Sequence, residues 1–182
     1  MAAITITEAL AEIKTVGKRI EKKREFINQF LARQEGIRDP LERDGGSASV
    51  IASERQAIAD LEGRVIALRK GIQSANDANS VTINGVSRTI SEWLTWRRDI
   101  APGQRAWLTS VRNGLNQMRE KAKREGNAVV SAVATTAETR PTDIVVNMDE
   151  RKLGDEIEAL EDTLGQLDGQ LSLKNATVTI KE

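Results

Sequence analysis

Apolar residues recur at alternating four- and three-residue steps along much of this chain, and polar residues fill the gaps. The clearest run is Leu153, Ile157, Leu160, Leu164, Leu167 and Leu171, with mostly acidic residues between them. An average step of 3.5 residues lays one leucine seam along a helix, and a seam that narrow requires a partner helix to cover it. The same pattern marks a first helix, with Leu10, Ile13, Gly17, Ile20, Arg24, Ile27 and Leu31 in register and Phe26 and Phe30 on a second edge. Thr5 and Glu8 form a Thr-x-x-Glu signature that predicts where it opens. A second helix carries Ile51, Ile58, Leu61, Val65, Leu68 and Ile72, and is expected to start either before Ile51 or at Ser53, where Ser53 and Gln56 would cap it. The turn-rich stretch from Gly36 to Ser49 joins the two into an antiparallel hairpin.

Beyond Ala75 the period changes. Asn84-Gly85 between β-forming flanks predicts a tight two-strand ribbon. Thr89 with Glu92 caps a third helix carrying Trp93, Leu94, Trp96 and Ile100. Pro102-Gly103 is expected to break or kink it before Trp107, Leu108, Val111, Leu115 and Met118. Gly126 follows a cationic helix end, as a stop signal should. Residues 127–141 read as an extended Val/Ala/Thr arm, Ile144–Val146 as a strandlet, and Thr177–Ile180 as a terminal strand.

The expected fold is mainly α: an antiparallel helical bundle of coiled-coil hairpins with a small β element made of short strands. One helical domain is expected over 1–182. Its parts are a helical hairpin (1–74), a β-turn with a Trp/Arg helix (75–126), an extended arm (127–148), and a heptad helix with a C-terminal strand (149–182).

Composition narrows the chemistry. The chain has no cysteine, histidine or tyrosine. Thiolate, imidazole and phenol are therefore lost as metal ligands, bases and nucleophiles. No cofactor or metal is expected. Asp39, Glu42 and Asp44 lack calcium-loop spacing, and Glu158, Glu161 and Asp162 read as charge flanking a seam. Lys22, Lys23 and Arg24 read as a solvated face. No run is long enough to span a bilayer. Basic and acidic residues balance at 27 each, which makes nucleic acid an unlikely partner. The charge is unevenly placed, however: residues 88–124 hold nine basic against three acidic residues, and 143–182 hold four against ten. Internal pairing of the two stretches is the simpler reading; head-to-tail joining of copies is the other.

The order of elements resembles the septicolysin-like family of small bacterial and phage coiled-coil proteins. The likeness is carried by EALAEI in the first helix, IQSANDAN before the turn, TISEWLTWRRDI after it, and the closing IVVNMDERKLGDEIEALEDTLGQLDGQLSLKN. That resemblance implies no catalytic residues.

The functional expectation is a non-enzymatic assembly protein that pairs with itself and with other structural proteins, with a bacteriophage virion component assembled in the host cytoplasm (head–tail adaptor, collar or cement type) as the favoured setting. The alternative is a cytoplasmic bacterial binding module. Candidate interface residues are Trp93, Trp96, Arg97, Arg98 and Trp107, then Val129, Val130 and Val133 of the arm, and Val178 and Ile180 of the last strand. The arm and last strand are expected to add to neighbouring subunits. For Trp93 and Trp96, burial beside Ile100 is the leading reading, ahead of a protein interface and then of nucleic acid or carbohydrate.

Overall fold

A computed structural model describes residues 3–132 and 140–180. The fold is mainly α, with three two-stranded ribbons among the described residues. The expected single domain is instead two compact units: Met1–Asn79 with Leu171–Glu182, and Ser80–Gln170.

The first unit opens with strand β1 (Ile4–Thr5) and helix α1 (Ile6–Gln29). Thr5 caps α1: its hydroxyl accepts from the Glu8 N–H, and the Glu8 carboxylate accepts from the Thr5 N–H at 2.7 Å. Helix α2 (Ser47–Ala78) returns antiparallel. Ion pairs link Glu12 early in α1 to Arg64 past the middle of α2 (2.7 Å), and Lys23 late in α1 to Glu54 early in α2 (2.6 Å), with Arg24–Glu62 (2.9 Å) between the same helices. Helix α2 begins six residues before Ser53, so the Ser53–Gln56 cap is not used. Its N-cap is Gly46, which brings no side chain. Asp39 supplies the missing acceptor from the loop, taking hydrogen bonds from the Ser47 N–H (2.9 Å), the Ser47 hydroxyl (2.5 Å) and the Leu41 N–H (2.9 Å).

The inner face of α1 keeps Ile13 and Ile20 of the expected seam but uses Ala9 and Val16 in place of Leu10 and Gly17. Ile6, Ala9, Val16 and Ile20 are buried, whereas Leu10 is exposed. Two heptads interleave here, and the small Ala9 side chain is the one packed inside. The core joins Ile6 and Ala9 to Leu68, Ala75 and Ile180, with Ile4, Ile13, Ile72 and Val178 around them. Ile180 belongs to β6 (Thr179–Ile180), which pairs antiparallel with β1, Ile4 opposite Ile180 and Thr5 opposite Thr179. The Ile6 N–H also donates to the Val178 carbonyl at 3.0 Å. The terminal strand thus finds its partner in its own chain rather than in a neighbour.

In the second unit, β2 (Ser80–Ile83) and β3 (Val86–Thr89) form the expected ribbon. Its turn residues take positive φ, 49° at Asn84 and 79° at Gly85, the backbone twist that an Asn-Gly hairpin supplies. Thr89 and Glu92 repeat the reciprocal cap at the start of α3 (Ile90–Thr95). Pro102 does not break the helical path beyond α3. A π-helical turn spans Trp96–Ile100, and α4 (Ala101–Glu125) continues from it with the proline in its first turn. The Ala101 N–H donates to the Trp96 carbonyl five residues back. That wider ring accommodates a residue with no N–H to offer.

Helix α4 ends at Gly126, which is left-handed at φ 71°. Strand β4 (Val129–Ser131) pairs parallel with β5 (Ile144–Val146), Val129 opposite Ile144. The described part of the arm is therefore also paired within the chain. Val133 lies outside the described residues. Asp149 caps α5 (Glu150–Thr177), accepting from the Arg151 N–H at 3.0 Å. Up to Gln170, α5 belongs to the second unit; from Leu171 it belongs to the first.

Glu8 and Glu92 titrate below the usual glutamate range, chiefly because each accepts a backbone N–H hydrogen bond, from Thr5 and Thr89 respectively. Asp39 is lowered by its hydrogen bonds from Ser47 and then Leu41. Depressed carboxylates contribute stability that is complete above their unfolded pKa and lost as pH falls through the folded values. Melting temperature should therefore be level down to about pH 5 and then decline. Glu8→Gln with Glu92→Gln should flatten that decline; an unaltered slope in the double variant would show that these caps do not contribute.

Candidate functional site

The leucine seam of α5 is where the sequence places it. Leu153, Leu160, Leu167 and Leu171 are buried, and Ile157 and Leu164 are half-buried. Its partner in the second unit is α4. Ala101, Leu108 and Leu115 share one core with Val146, Leu153 and Leu160, and Trp96, Val111, Val129, Met148, Ile157 and Leu164 pack around it. The two charged stretches meet along this pair. Arg97 reaches Asp168 at 2.7 Å, Arg105 reaches Glu161 at 2.8 Å, and Arg119 reaches Glu150. The basic residues rise in number as the acidic ones fall, so α4 and α5 run antiparallel. Internal pairing thus uses part of the opposed charge.

The five Trp/Arg candidates do not form one surface. Trp93 is core: it is 3% exposed, and its indole Nε1–H donates to the Val81 carbonyl at 3.0 Å. The Arg88 guanidinium lies over its ring at 4.9 Å from the centroid, and Trp96 meets it edge-on at 5.5 Å. The ring that stacking on a base would need is thus enclosed. Arg98 is held by both oxygens of Asp99, at 2.7 Å each. That contact raises the Arg98 pKa and lowers the Asp99 pKa. Ile100 does not join Trp93 inside; it is 49% exposed.

Trp107 is also set apart, at 55% exposed. It belongs to a second stripe that a single-seam reading of the helix overlooks. Ile100, Gln104, Trp107, Val111, Gly114 and Met118 advance by four, three, four, three and four residues. At about 100° per residue, this stripe lies roughly 80° around the helix from the buried Ala101/Leu108/Leu115 seam. Ile100, Trp107 and Met118 are exposed, and Val111 and Gly114 are half-buried. The adjacent Trp107-Leu108 and Gly114-Leu115 pairs are the sequence signal, since two heptads offset by one residue give a helix two faces. An open apolar groove runs beside the stripe, with Val111, Met118, Val145 and Met148 in its lining.

Among the described residues, every buried core side chain is apolar, and no cluster of three acidic residues is arranged to hold a metal. The Asp39–Asp44 loop is occupied by its own bonds, with Glu42 on Arg38 and Asp39 on Ser47. No described helix is long and apolar enough to cross a membrane.

No family model and no curated protein matches the chain. Among solved structures, it is similar over 99% of its length to the whole of a functionally unknown conserved protein from Corynebacterium diphtheriae, with a TM-score of 0.56 and 16% identity. That likeness shows a shared fold.

Proposed function

We propose that the chain is a non-enzymatic assembly protein that works through helix-to-helix contacts with other protein chains, in multiple copies. The observation carrying this reading is the second heptad, from Ile100 along α4, whose Ile100, Trp107 and Met118 stand exposed beside the stripe already packed on α5. A heptad seam is built to be covered by another helix, and an exposed tryptophan at its middle is the kind of side chain that anchors interfaces. Catalysis finds no comparable support. Among the described residues, the carboxylates whose pKa departs from the ordinary range (Glu8, Glu12, Asp39, Glu92 and Asp99) are all lowered, by caps and by arginines. A general acid working near neutrality needs the opposite shift.

The setting we favour is a bacteriophage virion, as a head–tail adaptor, collar or cement component. A cysteine-free, aromatic-poor helical chain with paired seams suits that role. The rival, a bacterial binding module gripping ligand through its Trp/Arg helix, is weakened by the burial of Trp93 and by the ion pairs on Arg97 and Arg98. Light scattering on the full chain from micromolar to millimolar concentration should give a mass above that of one chain. A single-chain mass throughout would end the self-assembly reading. Mass spectrometry of purified particles tests the virion setting.

A further inference from the structure

The open stripe on α4 has an internal symmetry. Ile100 and Met118, Gln104 and Gly114, and Trp107 and Val111 are each equidistant from residue 109. Laid antiparallel against itself, the stripe therefore meets its own complement. Trp107 of each copy faces Val111 of the other, next to Gly114, where an added Cβ would meet nothing within 4 Å. A large ring is set against a small residue and a vacant notch, the usual condition for close helix packing.

One pair of exposed charged residues fits the same arrangement. Asp99 stands at the start of the stripe and Lys121 just past its end. Both are exposed and, among the described residues, pair with near neighbours in sequence, Asp99 with Arg98 and Lys121 with Glu125 at 3.9 Å. The antiparallel register sets Asp99 of one copy opposite position 119 of the other, two residues from Lys121. A twofold axis repeats that placement. Parallel pairing would set Asp99 on Asp99 and Lys121 on Lys121.

We propose that two copies of this chain pair through α4 across a twofold axis near Thr109, with Trp107 as the anchor and Asp99–Lys121 as the contact that fixes direction. This rests on the assembly reading above and names its first partner, a second copy. Because the chain lacks cysteine, the register can be read by cross-linking. Full-length Gln104→Cys and Gly114→Cys variants, mixed under mild oxidation, should give a disulfide-linked dimer between unlike chains. Neither variant alone should do so. Its like residues would lie about 15 Å apart along the axis, beyond the roughly 4.4–6.8 Å a disulfide spans between Cα atoms.

Sedimentation should show Trp107→Glu raising the dimer dissociation constant about tenfold or more. Asp99→Lys and Lys121→Asp should each weaken the dimer, and the two together should restore it, which a loss of fold would not. Equal cross-linking in unmixed samples overturns the register. An oligomer that forms without the mixed cross-link and ignores Trp107→Glu overturns the α4 pairing and leaves assembly through another surface. A chain monomeric at every concentration removes both.

Discussion

Leu160→Asp should unfold the α4–α5 pair, and adding Leu164→Asp should complete the loss. Leu160 is 9% exposed, in a core with Leu108, Leu115 and Leu153. Truncating a core leucine costs about 2–5 kcal/mol on its own. An aspartate adds several kcal/mol for desolvating its charge, or for staying protonated to avoid that. A domain is held by only about 5–15 kcal/mol, so the sum approaches or exceeds what is present. Far-UV circular dichroism should show a large fall in helicity at 25 °C and the loss of a cooperative melt. A melting curve like that of the unaltered chain would mean that the leucine seam does not hold this fold together.

Ile180→Ala should destabilise the first unit by about 2–5 kcal/mol, although its strand is only two residues long. Its side chain is 2% exposed and packs with Ile6, Ala9, Leu68 and Ala75. Gly71 makes the fit testable. A Cβ there would stand 3.2 Å from the Ile180 Cδ1, so Gly71→Ala crowds the isoleucine in the unaltered chain. With alanine at 180 the crowding is gone, and the better helix former should recover up to about 1 kcal/mol. Denaturant titrations of both single variants and the double variant give the coupling directly. Strict additivity would place Ile180 somewhere other than against α2.

Local chemistry makes part of this fold legible. The Thr5–Glu8 and Thr89–Glu92 caps, the Asn84-Gly85 turn and the Gly126 stop each complete their bonds within a few residues, so the chain alone specifies them. The α5 seam is legible because leucine recurs there without competition. Where two registers compete, the sequence does not choose. Ala9 goes inside and Leu10 outside because of what α2 and β6 present, and α4 divides its apolar residues between a used and an unused stripe for the same reason. The start of α2 escapes a local reading because its acceptor, Asp39, stands eight residues before Ser47. Strand partners escape it because a two-residue strand such as Ile4–Thr5 carries almost no pattern of its own. Of the candidate site, Trp107 is the tryptophan left exposed. Trp93 is fixed inside by one indole hydrogen bond that no periodicity announces.

The π turn at Trp96–Ile100 and the proline behind it form a linked pair. In an uninterrupted α-helix the Pro102 ring would collide with the carbonyl four residues back, and that carbonyl would have no donor. Deleting one residue from the turn would restore a regular ladder only by forcing this collision, and it would also twist everything upstream by about 100° relative to α4. Related chains should therefore keep or lose the extra residue and the proline as a single inherited event.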